Sequence, residues 1–333
     1  MPDSDPEVVR FLRLRKQALL MKEQGLMRSL TKDWLKVEQA LRSEMEALAS
    51  ELASLNVVTE ATIQRHERFV KLLYQARAEV GKFNETADGA ITKMQAQMSK
   101  TGIEDALKAL KISYQDAGMV APSFDQLPVK ALEIMFGYAS DGSSLQGLLA
   151  RAYPDAVNGM MDALVTGLAF GNHPTDVGRK MAEEFGIGLN RALTIARTET
   201  LRAYRMGSFE QYRESGVVSG YKRLASHDSR TCIGCLMADG MMIESLDGEF
   251  DEHPNGRCTA VPVVIGIPAM EWSNGEQWFI RQAEATQREM LGPQRFEAWK
   301  TGTDLKDMSK FVNDPTWGGS YVPTPVGELE IRD

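Results

Sequence analysis

The stretch HDSRTCIGCLMADGMMIESLDGEFDEHPNGRC, residues 227–258, holds all three cysteines of the 333-residue chain. Cys232 and Cys235 are spaced C-x2-C, and His253 and Cys258 follow as H-x4-C after a gap of 17 residues. Two residues between paired thiolates let one tight turn aim both sulfurs at a single ion. A borderline-soft ion such as zinc takes sulfur and imidazole ligands in a tetrahedral set. Cys232, Cys235, His253 and Cys258 are therefore candidate metal ligands. Four protein donors leave no open position, so the expected role of the zinc is structural. His227, Asp228 and Asp251 are spare donors in the same stretch. The competing reading is three reduced thiols in a small module without metal.

The residues on either side frame a small β-rich module. GYKRLAS (220–226) reads as a short strand. Residues 240–243 and 248–250 read as a hairpin turned at Leu246-Asp247-Gly248. TAVPVVI (259–265) is β-branched, but Pro262 lacks an N–H and confines it to a sheet edge or strand end. So small a module has little core of its own, and metal ligation helps to hold it together. Asp228-Ser229-Arg230 reads as a turn, with Asp228 accepting backbone N–H bonds or orienting Arg230 or His253.

Away from this module the chain reads as helical. Trp34, Val37, Leu41, Met45, Leu48, Leu52 and Leu55 recur at steps of three and four, the pattern of a long amphipathic helix. Residues 56–60 break it, with Thr59 placed to cap a second helix that carries Ile63, Phe69, Val70, Leu73 and Val80 and stops near Gly81. A short link between two long helices predicts an antiparallel hairpin; pairing with another chain as a coiled coil is the alternative. Shorter helices are expected at 94–98, 103–114, 129–138, 145–153 and 157–170. Another is expected at 177–185 after a Thr175 or Asp176 cap, and one at 189–215 closed by Gly216. Helices return at 275–291 and 293–300, and residues 317–325 look extended and irregular. The fold class is α+β, mostly α, divided as an N-terminal helical arm (1–119), a helical connection (120–188), the β-rich module (189–268) and C-terminal helices with a tail (269–333).

Net charge is −8, which argues against a protein that coats DNA generically. Residues 179–230 carry 10 Lys and Arg against 6 Asp and Glu, whereas residues 231–333 carry 8 against 17. A basic middle therefore abuts an acidic end, either as ordinary solvated faces or as a contact surface for a charged partner. Three cysteines do not pair off within one chain, which fits a reducing compartment. MPDSDPEVVR lacks the basic start and apolar core of a secretory leader. No apolar run approaches the roughly 20 residues of a membrane span. The expectation is a soluble chain made in the cytoplasm, with no membrane partner.

One further position carries chemistry. In Ala196-Arg197-Thr198-Glu199-Thr200, Glu199 shares a helix face with Ile195, Ala203 and Met206. A carboxylate on an apolar stripe is costly to bury alone. Its expected partner is an arginine (Arg202, Arg230 or Arg257), a backbone N–H group or a metal, making it a pin between helix and β module; a catalytic acid is the alternative. The phosphate loop, the G-x-S-x-G elbow, the H-E-x-x-H helix and the H-x-E/P-C-x-x-C deaminase pattern are all absent. His66 and His173 fall on a helix surface and in a loop.

Taken in order, Arg197-Thr198-Glu199, Asp228-x-Arg230, Cys232-x2-Cys235, Asp239-Gly240 and His253-Pro254-Asn255-x-Arg257-Cys258 resemble the phage head morphogenesis family of Mu F-like and SPP1-type minor head proteins. The resemblance covers roughly residues 160–265 and extends loosely to Gln287, Leu291-Gly292 and Trp317-Gly318. Gly256 departs from it, standing where the family often has a cysteine. The resemblance implies a non-enzymatic minor capsid protein of a tailed phage, made in the host cytoplasm and located in the virion head near the portal. It implies the portal protein as partner and a role in head assembly and DNA packaging or delivery. It leaves open contacts with the major capsid or scaffolding protein, with DNA, and with further copies of the chain. Glu199, Asp228 and Arg230 then become structural supports around the zinc. Two rival functions stand beside this one: a metal-dependent hydrolase or toxin-like enzyme centred on Glu199 and the metal, and a DNA-binding zinc module.

Overall fold

The computed structural model describes residues 5–55, 59–139, 141–246 and 250–329. In chain order, α1 (Glu7–Ala53), α2 (Glu60–Gln64) and α3 (Glu67–Asp116) come first, followed by a 3-10 helix over Val129–Met135. Next are α4 (Leu145–Ala150), α5 (Ala152–Ala169), α6 (Pro174–Phe185) and α7 (Ile187–Ser215). The β-rich region contains β1 (Val218–Leu224), α8 (Ile233–Met237), β2 (Met242–Ile243) and β3 (Thr259–Val264). The C-terminal region contains α9 (Gly275–Ile280), α10 (Glu284–Leu291), α11 (Pro293–Lys300), β4 (Ser309–Asp314) and β5 (Gly318–Pro323). This is the mostly helical α+β fold that the periodicity predicts. The chain forms two compact units, one of residues 1–22, 95–136 and 200–333, the other of 23–94 and 137–199.

In the second unit α1 and α3 run antiparallel. Arg68 of α3 pairs with Glu44 and Glu51 of α1 at 2.8 Å, and Gln75 donates to the Ala40 carbonyl at 2.9 Å. The apolar series from Trp34 to Leu52 is buried, while Leu55 is exposed. Trp34 is the centre of this core, edge-on to Phe83 at 5.0 Å and stacked on Phe185 at 5.6 Å. Gly188 lets α7 approach the Trp34 ring, because a Cβ there would lie 2.6 Å from it. Arg197 of α7 pairs with Glu23, itself buried.

In the first unit Asp116, the last residue of α3, accepts the N–H groups of Glu7 and Val8 at 3.2 and 3.0 Å and so caps α1. Helices α3 and α7 touch backbone to backbone. A Cβ on Gly102 would lie 2.1 Å from the Tyr204 carbonyl, and one on Gly207 would lie 2.2 Å from that of Ser99. The hydroxyl of Ser99 donates to Ala203 O at 2.9 Å, and that of Ser208 to Gly102 O at 3.1 Å. The sheet has the order β2-β1-β3, antiparallel throughout. Both of its faces are covered. Tyr221 and Ala260 join Leu110, Phe209 and Tyr212 in one cluster, and Leu224 and Val261 join Val8, Val9 and Leu12 in another. That is why β1 is buried at nearly every position instead of alternating. Pro262 lies on β3, an edge strand, as its missing N–H requires.

Several boundaries differ from the sequence reading. Helix α3 is a single 50-residue helix that runs through Gly81 and absorbs the separate pieces expected at 94–98 and 103–114. A mid-helix glycine costs only about 1 kcal/mol, and buried Val80, Phe83, Ala87 and Ile91 keep the stripe continuous across it. Residues 129–135 form a 3-10 helix. His173, not Thr175 or Asp176, caps α6, and Pro174 takes the first helical position. Residues 275–291 split into α9 and α10. Of the expected 240–250 hairpin, Met242 and Ile243 pair with β1, while residues 247–249 lie outside the described residues. The tail is ordered: β4 and β5 pair in register from Ser309↔Pro323 to Asp314↔Gly318. It packs on α8, where a Cβ on Gly234 would lie 2.4 Å from Tyr321 O.

Candidate metal centre

Cys232 is the N-cap of α8, and its Sγ accepts the Cys235 N–H at 3.3 Å. The C-x2-C spacing thus becomes one short helical turn carrying both sulfurs. Ile233 and Leu236 on the other side of that turn are buried against Phe279, Leu291 and Phe296, so the C-terminal helices anchor it. Cys258 immediately precedes β3 and packs with Cys235 and Ala225. His253 precedes a turn closed by Gly256 N–H to His253 O at 2.8 Å, with Asn255 at φ 65°.

The donor atoms form two overlapping triads, each within 4.8 Å: Cys232, Cys235 and His253, and Cys235, Glu252 and Cys258. His253 Nδ1 lies 2.8 Å from the Pro254 carbonyl, which only accepts, so Nδ1 carries the proton. Nε2 then faces Cys232 Sγ at 3.3 Å and Cys235 Sγ at 3.1 Å. With Nδ1 held by a backbone carbonyl, Nε2 is the nitrogen turned toward the sulfurs, the orientation a histidine ligand needs. A cavity of about 40 Å³, lined by Cys232, Cys235, His253 and Cys258 among others, opens beside the sulfurs.

Protonation chemistry fits a cation here. The hydrogen bond to Cys235 draws the Cys232 thiol below its ordinary value, against burial. The hydrogen bond to Cys232 pushes Cys235 up, and Cys235 together with burial pushes Cys258 well up. Burial pulls His253 down, but Cys235 and Glu252 outweigh it and bring it to about 9. Sulfurs this close resist carrying charge together, and a divalent ion among them removes that repulsion. The cluster could hold a metal ion such as zinc: Cys232, Cys235 and His253 form one donor triad, and Cys258 joins through Cys235 in the other.

Charged groups behind the cluster were mostly invisible in the sequence. Glu252 is buried, accepts Arg223 Nη2 at 3.0 Å and accepts the Cys258 N–H at 3.0 Å. Burial alone would raise its carboxyl, yet Arg223 and Arg205 hold it below the ordinary value. Arg205 donates to Gly256 O and Cys258 O at 3.4 and 3.5 Å. Buried Lys16 donates to Leu224 O at 2.6 Å. No spacing signal marks these four; only their burial in the fold does.

Asp228 accepts the Arg230 N–H at 2.9 Å and two bonds from Arg257, at 2.9 and 3.0 Å. Its side-chain partner is thus Arg257, while Arg230 contributes its backbone and is exposed. Burial pushes the Asp228 carboxyl up, but Arg257 outweighs it and the net direction is down. Glu199 is completely buried within α7. His227, a spare donor by sequence, turns instead to Asp239 at 2.7 Å and stacks on Trp278 at 5.1 Å. Asp239 also accepts Ala225 N–H and Trp272 Nε1, at 2.7 and 3.3 Å.

A mostly helical protein with a small antiparallel module gathered around cysteine and histidine donors is the class that fold and site define together. Residues 158–261, less than a third of the chain, match the family of Phage Mu protein F like proteins. The matched segment ends within β3 and includes all four predicted ligands. No curated protein and no solved structure matches the chain. Among the described residues, no helix is long and apolar enough to cross a membrane.

Proposed function

We propose that this chain is a minor head protein of a tailed phage that docks at the portal vertex. There it would support head assembly and DNA packaging or delivery. The supporting observation is the coincidence of the matched segment with the cysteine–histidine module, whose donors, charges and packing fit a structural rather than a reactive centre. In this reading zinc bound by Cys232, Cys235, His253 and Cys258 clasps the module, and Asp228 and Arg230 support it. The cluster is tied to a buried helix turn and to the C-terminal hairpin, which suits a rigid docking element more than an open catalytic site. Glu199 has no exposed surface and does not line the cavity beside the sulfurs.

Co-expression with the portal protein of the same phage tests the proposal. The expected result is a complex that survives size-exclusion chromatography at moderate salt, and that Cys232→Ser weakens. A folded, metal-loaded chain that fails to bind portal even at low salt overturns it. Steeply salt-dependent binding to DNA in place of portal would favour the nucleic-acid reading.

A further inference from the structure

Glu252 stands close enough to the neighbouring donors to share an ion with them. Its Oε1 lies 3.8 Å from Cys235 Sγ and 3.7 Å from His253 Nε2. Donors sharing one zinc sit roughly 3.4–3.8 Å apart, given metal–ligand bonds of about 2.0–2.3 Å in a tetrahedral set. The carboxylate stands as close to these donors as ligands of one ion stand to each other. It forms with Cys235 and Cys258 a second triad whose donor atoms lie within 4.8 Å of one another.

Gly256 makes this placement possible. A Cβ at residue 256 would lie 2.1 Å from Glu252 Oε1 and 2.2 Å from its Cδ. The space beside the sulfurs that any side chain at 256 would enter is filled by the Glu252 carboxylate. Two further contacts fix it there: the Cys258 N–H on Oε2 and Arg223 on Oε1. Each oxygen still has a lone pair after these bonds. Arg223 and Arg205 offset the extra negative charge that a carboxylate adds to three thiolates.

We propose that Glu252 is an inner-sphere ligand, so that this chain's metal centre draws on a carboxylate oxygen in addition to Cys232, Cys235, Cys258 and His253. The inference rests on the reading of the cluster as a metal centre. It gives the site a mixed sulfur, nitrogen and oxygen donor set with one donor beyond a closed tetrahedron. Such a set softens the preference for tetrahedral ions.

The test uses full-length protein loaded with cobalt(II), whose visible ligand-field bands report coordination number. Parent protein, Glu252→Gln and Gly256→Ala are compared after circular dichroism confirms each fold. Glu252→Gln removes the anionic donor, and Gly256→Ala pushes the carboxylate aside while leaving its charge. In both, the bands are expected to shift and intensify toward a four-coordinate centre. Cobalt affinity is expected to fall at least about tenfold. Weaker affinity with unchanged bands overturns the inference, because a merely supporting Glu252 would behave that way. X-ray absorption on zinc-loaded parent needs no variant: a light-atom shell with one scatterer beyond His253 supports the inference, and His253 alone overturns it. Parent protein that binds no metal overturns both this inference and the metal reading beneath it.

Discussion

Arg223, Arg205 and Lys16 carry three cations into a region that also holds Glu252 and three sulfurs, and all three are buried. Buried charges of this kind are costly unless partnered, and removing one partner leaves the other stranded. Arg223→Met is therefore expected to destabilise the folded chain by about 3–5 kcal/mol in urea unfolding. Arg230→Ala, on an exposed side chain, should stay within about 0.5 kcal/mol. Equal losses for the two would contradict this account. Tyr204 and Tyr212 supply a pH-dependent test. Burial, followed by the charge of Asp105, raises both phenols above their ordinary value. A group whose folded pKa is raised contributes stability that is complete below its unfolded value, about 10, and is lost as pH rises beyond it. Urea midpoints should therefore fall as pH climbs past about 10, and absorbance at the phenolate band should show these two tyrosines ionising only with unfolding. Ionisation of every tyrosine in the still-folded chain would contradict the burial described.

Helix crossings turn on glycines of opposite kinds. Gly102 and Gly207 stand where α3 and α7 meet backbone to backbone, so an added methyl has nowhere to go. Gly102→Ala and Gly207→Ala are each expected to cost about 1–3 kcal/mol. Gly81 is helical with open space around it, and Gly81→Ala should stabilise by about 0.4–1 kcal/mol through the unfolded chain. Thermal melts of the three variants check the contrast, and a destabilising Gly81→Ala would undermine the single long α3. These same glycines explain what was legible in the sequence. The stripe from Trp34 to Leu52, the Thr59 cap, the strand around Tyr221 and the edge position of Pro262 each follow from local periodicity or from one residue's chemistry. Gly81 looks like a stop because its tolerance depends on the packing of Phe83 and Ile91, which is tertiary. The C-terminal hairpin looks irregular because what orders it is the close approach of Gly234 to Tyr321, a residue far along the chain. At the site the C-x2-C and H-x4-C spacings single out the cysteine and histidine donors. Glu252, Arg205, Arg223 and Lys16 come from separated parts of the sequence, and no spacing links them. Arg257 takes the place beside Asp228 that the sequence offers equally to Arg230.

For the whole chain, the cysteine–histidine cluster lies in one of the two compact units, that of residues 1–22, 95–136 and 200–333. The sheet, the C-x2-C turn and the C-terminal hairpin all lie within it. Chelation should therefore lower protection against hydrogen exchange across residues 218–329 while leaving residues 23–94 little changed. Ligand linkage sets the size of the effect: a metal present at about 100 times its dissociation constant adds about 2.7 kcal/mol. The segment that matches Mu F-like proteins includes all four candidate ligands, so in the proposed role assembly competence and metal content should fall together. Elemental analysis of the purified full-length chain, paired with thermal melting before and after chelation, tests that claim most directly. The account predicts about one zinc per chain, lost in Cys232→Ser, with a lower melting temperature once the metal is removed. A chain that carries no metal and melts identically with and without chelator would contradict it.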